Sequence, residues 1–262
     1  MLVHSEYTLY GFFMALRRLF AGVDKVRFFL DQDSGMRAAC LSAFRDRISD
    51  GRCDAFYVRI AKDMIIDDKR KLIRDAKREL ALVAAAHPTL DESGVKLLVL
   101  KDRIAKAREI GPWRDRWVSM PLPSLSEPEK AVCHLTDIGG YDEDHLAWLY
   151  NKASLHAVDS FFNRLRRRSS LLERPVRSSA NRGRVYSYYS PFKPEQVSKI
   201  QTIIRACHNY VWTIQPKKGR KKSSRPDDGL IVEKEKRPPE TPATRLGLAK
   251  APLDLNDIIY FR

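Results

Sequence analysis

The feature that most constrains the fold is an alternation of strand-like and helix-like segments near the start of this 262-residue chain. In order, the segments are a strand at 2–10, a helix at 11–21, a strand at 26–30, a helix at 35–48 capped by Ser34 and a strand at 53–60. A short apolar run such as VRFFL, which ends in a charged residue, is typical of a buried strand. The order strand-helix-strand-helix-strand predicts an α/β fold whose sheet contains parallel strands.

Beyond residue 61 the pattern becomes helical and highly charged. The stretches KRKLIRDAKRELALVAAA and VKLLVLKDRIAKAREI are separated at His87–Pro88, which predicts a helical hairpin. The Pro-rich segment 111–128 that follows is interpreted as an irregular crossing, in which Trp113 and Trp117 anchor the core.

The C-terminal half of the chain begins with helical patterns and ends without them. Apolar residues recur every three or four positions in 142–172 and again in 195–213, which predicts two helices. Residues after 213 are basic and Pro-rich, which is typical of a partly disordered tail. These patterns divide the chain into a partial sheet core at 1–61, a mainly helical insertion at 62–141, two helices around a basic aromatic loop at 142–213, and a tail at 214–262.

The net charge of +15 is concentrated in one part of the chain. Residues 160–225 contain 17 Lys and Arg against 2 Asp and Glu, whereas the rest of the chain has 31 residues of each sign. Concentrated positive charge favours a polyanionic partner, because neutralising phosphates releases their counterions. A basic surface that is merely solvated is the alternative interpretation.

Composition argues against several other classes of protein. No apolar run reaches about 18 residues and residues 1–10 are too polar for a signal peptide, so no membrane association and a cytoplasmic, nucleoid-associated location are expected. The 4 cysteines are far apart, with no C-x-x-C pair, which predicts buried reduced thiols. The 6 histidines show no metal-ligand spacing, so each is interpreted as a structural or surface residue.

Two aspartates stand where a metal-binding carboxylate would be well placed. Asp31 directly follows VRFFL, and the end of a strand holds a side chain rigidly. Asp159 lies on the helix SLHAVDSFFNRLRRR, near Leu155 and Phe162 at helical spacing, so it is expected to face inward. Hard cations prefer such oxygen ligands. The alternative for either residue is an ordinary solvated aspartate, and Asp159 would then bond to His156 or Asn163 on its own helix.

These segments resemble those of DDE-type bacterial insertion-sequence transposases, which belong to the RNase H-like superfamily. VRFFLDQDSGMR resembles the family's second-carboxylate strand and turn, and LHAVDSFFNRLRRRSSLLERP resembles its third-carboxylate helix. IIRACHNYVW and TPATRLGLAKAPLDLNDII resemble its C-terminal ending. The order and joint occurrence of these motifs carry the resemblance, which covers most of residues 1–60 and 142–262.

The resemblance implies a partial RNase H-like sheet, the integrase catalytic core, with an inserted helical region. It implies that Asp31 and Asp159 are catalytic and bind Mg²⁺ in a two-metal site. The implied activity is DNA recombination by transposition, in which DNA strands are cleaved and transferred at transposon ends. The implied partners are the transposon ends, the target DNA and a second copy of the chain.

Three departures from the family pattern change this expectation. The third carboxylate is usually Glu, whereas this chain has Asp159, and its separation of 128 residues from Asp31 is longer than is common in the family. The first carboxylate of this fold lies on its first strand, and reading residues 2–10 as the third strand leaves the first two strands missing. The chain is therefore expected to be N-terminally truncated and catalytically impaired. Glu6 is the alternative source of the missing acid, provided that it points toward Asp31.

Basic and aromatic residues in the positive region are the candidate DNA-binding side chains. Arginine and lysine hold phosphates, and tyrosine rings can stack on bases, although a given Tyr can also simply cover the core. Tyr186 and Tyr189 interleave with these residues. The candidates are Arg164, Arg166, Arg167, Arg168, Arg174, Arg182, Arg184, Tyr188 and Lys193.

The expected function is therefore that of a transposase fragment that binds transposon DNA. A non-catalytic DNA-binding protein derived from a transposase is one alternative, and another RNase H-like nuclease is a second. Metal-dependent activity on DNA would distinguish the transposase from the non-catalytic DNA-binding protein. Strand joining, as opposed to cleavage alone, separates it from the nuclease.

Overall fold

The structure is a computed structural model that describes residues 2–61, 64–169, 176–177, 184–185, 193–213 and 239–260. The chain forms two compact units, Met1–Ser160 and Phe161–Arg262. Within the described residues, no helix combines the length and the apolar character needed to cross a membrane.

Helices and strands alternate through the first unit. They are α1 (Leu2–Leu19), β1 (Val26–Asp31), α2 (Ser34–Ala43), α3 (Arg45–Ser49), β2 (Cys53–Arg59), α4 (Ile66–Ala86), α5 (Glu92–Lys106), β3 (Glu109–Ile110), β4 (Asp115–Ser119), β5 (Ala131–His134) and α6 (Glu143–Lys152). Helix α7 (His156–Arg168) begins in this unit. Described elements of the second unit are β6 (Val176–Arg177), β7 (Arg184–Val185), α8 (Pro194–Ala206), a π-helical turn (Cys207–Val211), α9 (Pro242–Arg245) and α10 (Leu255–Tyr260).

The first unit is built around a five-stranded mixed sheet in the order β1-β2-β5-β4-β3. Strands β1 and β2 are parallel, and the other neighbours are antiparallel. One face packs against α1 and α2 around Phe13 and Phe44, and the other packs against α5 and α6 around Leu100 and Leu149. The predicted α/β class with a parallel component is confirmed.

The strand predicted at residues 2–10 is wrong, because these residues form the first half of α1. Leu9, Phe13, Leu16 and Phe20 recur at helical spacing and pack against one face of the sheet. Gly11, which was expected to start the helix, lies in its interior on the exposed side, and a Cβ atom added there would have no neighbour within 4 Å. The expected assignment of residues 2–10 to the third strand of an RNase H-like sheet therefore fails.

The prediction of an irregular crossing at 111–128 is also wrong for the centre of this segment. Residues 115–119 form β4, which pairs with β5 inside the main sheet, so this part of the chain completes the sheet. Trp113 is 72% exposed and does not anchor the core. Trp117 is half-buried and stacks on Tyr57 with 6.3 Å between ring centroids. The sequence pattern did not indicate β4, because the strand has only five residues and prolines lie on both sides of it.

Other predicted elements are confirmed, with altered boundaries. The strands at 26–30 and 53–60 are β1 and β2, and the helical hairpin breaks at His87–Pro88 between α4 and α5. The side chain of Asp33 rather than Ser34 caps α2, by accepting a hydrogen bond from the Met36 amide. The remaining predicted helices are each divided: 35–48 into α2 and α3, 142–172 into α6 and α7, and 195–213 into α8 and the π-helical turn.

The prediction of buried reduced thiols is confirmed. Cys40, Cys53, Cys133 and Cys207 are all free and buried. Burial raises the pKa of the Cys40, Cys53 and Cys133 thiols to about 12, so these three remain protonated near neutral pH.

Candidate functional site

Asp31 lies at the C-terminal end of β1, as the sequence predicts, and is half-buried. Its Oδ1 accepts a hydrogen bond from the Gln32 amide at 3.0 Å. The turn that follows is fixed on both sides, because Asp33 caps α2 and its carbonyl oxygen accepts a hydrogen bond from the Tyr57 hydroxyl. The strand end therefore holds Asp31 beside a well-anchored turn.

Glu6 lies close to this turn, although it comes from α1 and not from a neighbouring strand. A Cβ atom placed on Gly35 would be 3.8 Å from Glu6 Cγ and 3.2 Å from Asp33 Oδ1. The proximity follows from the packing of α1 against α2. Glu6 therefore lies near the segment that follows Asp31, but a helix positions it there and not the strand that the sequence predicts.

Asp159 is exposed on α7, so the expectation that it faces inward is wrong. The inward positions of α7 are Phe161 and Leu165. At about 100° per residue, Asp159 points roughly 120–160° away from them. Phe162, expected to lie beside it in the core, is itself 43% exposed.

The described residues contain no group of three His, Cys, Asp or Glu side chains arranged to hold a metal ion. Asp31, Asp159 and Glu6 are therefore not assembled into a three-carboxylate site. A two-metal site requires carboxylates that share the ions, and Asp31 and Asp159 are not joined with a third acidic, His or Cys ligand among the described residues.

The beginning of α7 is fixed by a buried carboxylate that no sequence motif indicated. Glu127 accepts hydrogen bonds from the Ser154 hydroxyl at 2.5 Å, the Leu155 amide at 3.0 Å and the Lys130 ammonium at 2.9 Å. Burial opposes ionisation of Glu127, but the hydrogen bonds from Ser154 and Lys130 outweigh it, so the pKa lies below its ordinary value. An ionised Glu127 thus ties the loop before β5 to the junction between α6 and α7.

A second buried network joins the opposite end of the sheet to the loop before α6. Asp54 Oδ2 accepts hydrogen bonds from the Tyr141 hydroxyl at 2.6 Å and from Arg27 Nε at 3.1 Å, and Lys25 Nζ lies 3.5 Å away. His134 Nε2 lies 4.0 Å from Asp54 Oδ1, and burial lowers the pKa of His134 despite this carboxylate. Lys25 and Arg27 both supply counter-charge to the buried Asp54, so this carboxylate is held within the fold and is not available to an external cation.

The sequence alone does not predict this network. Asp54 stands out only as a charge within the apolar run CDAFYV, and Tyr141 lies 87 residues away along the chain. Only the pairing of β1 with β2 and the path of the 137–141 loop bring the partners together. A buried acid inside a strand is the one signal that could have suggested a partner cation.

The arginines of α7 form the clearest candidate binding surface. Arg164, Arg167 and Arg168 are exposed, and Arg166 is half-buried. None of these four guanidinium groups lies within 4.0 Å of a carboxylate belonging to the residues that the structure describes. By contrast, two exposed arginines on α4 have carboxylate neighbours: Arg70 lies 3.6 Å from Asp67, and Arg78 lies 3.7 Å from Asp75.

Aromatic contacts orient part of this surface within the second unit. The Arg168 guanidinium lies 3.8 Å from the centroid of the Trp212 ring, and the ring of Phe161 lies 4.8 Å from that of His208. Burial, with the charges of Arg164 and Arg168, lowers the pKa of His208, so its ring is neutral near pH 7. Arg168 therefore lies against an aromatic ring, and the nearby His208 adds no positive charge near pH 7.

The remaining candidate DNA-binding residues are only partly described. Lys193 is exposed immediately before α8. Arg184 lies in β7, where its backbone pairs with Arg177, so the segment predicted to be a loop contains a short antiparallel ladder. Arg174, Arg182 and Tyr188, together with Tyr186 and Tyr189, lie outside the described residues, as do residues 214–238 of the predicted tail.

Comparisons of the chain with protein-family models, with curated proteins and with solved structures found no match.

Proposed function

We propose that this chain is a DNA-binding protein related to DDE-type insertion-sequence transposases, and that it binds the phosphate backbone through the positive region at 160–225. The observation that carries the proposal is the set of α7 arginines without carboxylate partners among the described residues. These residues lie in the stretch that accounts for the entire net charge of the chain.

Arginine side chains bind DNA phosphates for two physical reasons. Each arginine offers several N–H donors to phosphate oxygens, and each neutralised phosphate releases counterions into solution. Stacking on Trp212 restricts the rotamers of Arg168, so less side-chain entropy is lost when it binds. Contacts of this kind position a protein on DNA without reading its sequence.

We further propose that the chain alone does not carry out strand cleavage or transfer. Asp31 is held at a strand end, but Asp159 is exposed and no three-carboxylate group is assembled among the described residues. This observation favours the second candidate function, a non-catalytic DNA-binding protein derived from a transposase. Incubation of the chain with supercoiled DNA and Mg²⁺ tests this point: we expect neither nicking nor joining, and activity that is lost in Asp31→Asn would contradict it.

The triple variant Arg164→Gln, Arg167→Gln and Arg168→Gln tests DNA binding. If each arginine neutralises one phosphate, the plot of log affinity against log salt becomes less steep by about 2.7, since each contact contributes about 0.9. Fluorescence anisotropy with duplex DNA across a range of salt concentrations measures this slope.

A matched control removes the same charge from another exposed helix. The triple variant Arg70→Gln, Arg74→Gln and Arg78→Gln changes three exposed arginines of α4. We expect this control to keep the wild-type slope. Equal effects of the two triple variants would show that DNA responds to net charge alone, and the proposed site on α7 would be rejected.

A further inference from the structure

A cavity of about 690 Å³ lies at one end of the sheet, within the first unit. Helix α4 lines one side, and the ends of β2 and β4, together with the segment before β5, line the other. Small-molecule sites in proteins commonly have volumes of about 300–1,000 Å³. The cavity is therefore large enough for a compound of the size of a dipeptide.

Apolar side chains form much of the cavity wall. Leu72 and Ala76 lie four residues apart on α4, so they share one face of the helix. Met120 and Pro121 line the wall after β4, and the Met120 amide donates a hydrogen bond to the Lys130 carbonyl oxygen at 2.8 Å. Both sides of the cavity can thus contact the apolar part of a ligand.

The charged side chains that line the cavity are balanced in sign. Three are cations and three are carboxylates, namely Arg59, Arg103, Lys130, Asp75, Glu79 and Glu129. Such a lining favours a zwitterion over an anion or a cation, because both ionic groups of a zwitterion can contact an opposite charge.

Four of these six charged groups form ion pairs within the first unit. The pairs are Arg103 with Glu79 at 3.8 Å, Lys130 with Glu127 at 2.9 Å, and Arg78 with Asp75 at 3.7 Å. Arg59 and Glu129 are exposed, and neither forms an ion pair with another residue that the structure describes. One cation and one carboxylate at the cavity are thus the candidates for contact with a ligand.

An aromatic ring supports the cation. The Arg59 guanidinium lies 4.6 Å from the centroid of the Trp117 ring. Stacking of this kind restricts the side chain and leaves the N–H groups at the edge of the guanidinium plane able to donate to a carboxylate. Arg59 is therefore suited to bind the carboxylate of a zwitterion.

The backbone at the carboxylate is strained. Glu129 has a φ of 42°, in the left-handed region that glycine adopts without cost. Strained residues of this kind occur at ligand-binding sites, where the side chain has a role that glycine cannot fill. The position of Glu129 on the cavity lining gives its carboxylate such a role.

We propose that this cavity binds a small zwitterion with an apolar body, of the size of a dipeptide. The ligand carboxylate binds Arg59, its ammonium group binds Glu129, and its apolar side chains lie against Leu72, Ala76 and Pro121. The inference does not rest on the proposed DNA-binding function, because the cavity lies in the first unit and the α7 arginines lie in the second.

Titration of the intact chain with leucyl-leucine, followed by amide chemical shifts in NMR spectra, tests the proposal. We expect saturable shifts at lining residues such as Ala61, Ser119 and Met120. N-acetyl-leucyl-leucine lacks the ammonium group and leucyl-leucinamide lacks the carboxylate. We expect each derivative to bind at least about tenfold more weakly than leucyl-leucine, because each loses a charge-assisted hydrogen bond.

Two variants assign the two charges of the ligand. We expect Glu129→Gln to weaken leucyl-leucine at least about tenfold but to leave the affinity of the N-acetyl derivative unchanged, because that derivative has no ammonium group. Arg59→Gln is expected to weaken leucyl-leucine equally and to leave the affinity of leucyl-leucinamide unchanged. The double variant Asp67→Asn and Arg70→Gln, the matched control, removes an ion pair of α4 outside the cavity lining and is expected to keep the wild-type affinity.

Three results would overturn the proposal. The first is the absence of saturable binding of leucyl-leucine by the wild-type chain. The second is equal affinity for leucyl-leucine and its two derivatives. The third is an equal loss of affinity for all three compounds in Glu129→Gln or Arg59→Gln, because neither side chain would then recognise one charge of the ligand.

Discussion

Glu127 shows how one buried carboxylate can organise a junction between two helices. Its oxygens receive hydrogen bonds from Ser154, Leu155 and Lys130, so the segment between α6 and α7 is fixed by a residue about 28 positions earlier. Lys130 also donates to the Ala153 carbonyl oxygen at 2.8 Å. Loss of this carboxylate would leave a largely buried ammonium group without its counter-charge.

We expect Glu127→Gln to lower the free energy of unfolding at pH 7 by about 3 kcal/mol, because it breaks a buried ion pair. Urea denaturation measures the change. Glu129→Gln removes the same charge from an exposed position two residues away and is expected to change stability by less than about 0.5 kcal/mol. Similar losses in both variants would show that the Glu127 network does not organise the junction.

The same carboxylate makes stability depend on pH in a defined direction. Because the pKa of Glu127 in the folded protein lies below its ordinary value of 4.5, the unfolded chain takes up a proton first as the pH falls. Its contribution is complete above pH 4.5 and is lost as the pH falls through the lower, folded-state pKa. Glu127→Gln is therefore expected to flatten the acid limb of the stability curve below pH 4.5.

Individual site residues could be predicted from sequence only where the local pattern fixes their position. Asp31 follows an apolar run that is typical of a buried strand, and the structure places it at the strand end. Asp159 was placed wrongly, because a helix with one buried and one half-buried inward position does not define its inner face clearly. Asp54 and Glu127 were missed, because their partners come from distant parts of the chain.

At the scale of elements, the assignment of residues 2–10 is the largest difference between sequence and structure. The run LVHSEYTLY is rich in strand formers, but Leu9 begins a helical stripe that continues through Phe13 and Leu16 to Phe20. Tertiary packing against the sheet selects the helix, and local composition alone favours a strand. In contrast, β1 and β2 were predicted correctly, because short apolar runs of this length that are rich in β-branched and aromatic residues favour a strand over a helix.

Gly11 provides a test of helix α1. We expect Gly11→Ala to raise the free energy of unfolding by about 0.5–1 kcal/mol, because a Cβ atom meets no neighbour there and alanine favours a helix interior. Gly51→Ala is the control with opposite sign, since Gly51 has a φ of 69° that disfavours a side chain. Thermal unfolding followed by circular dichroism compares the two variants. A destabilising Gly11→Ala would contradict a continuous helix from residue 2 to residue 19.

At the scale of the whole molecule, charge is divided unequally along the chain. Residues outside 160–225 carry equal numbers of each sign, and many form ion pairs such as Arg37 with Asp115 at 2.9 Å. The α7 arginines have no such pairs among the described residues. The location of the charge excess could be read from the sequence, whereas the absence of carboxylate partners for the α7 arginines among the described residues required the structure.

Photo-crosslinking of bound duplex DNA, followed by peptide mapping, tests most directly our proposal that DNA binds the second unit. We predict that crosslinked peptides come from the positive region, including the segment that carries Arg164 to Arg168, and that crosslinking decreases steeply as salt is raised. Crosslinks confined to residues 2–159, or no salt-sensitive binding at all, would contradict the account.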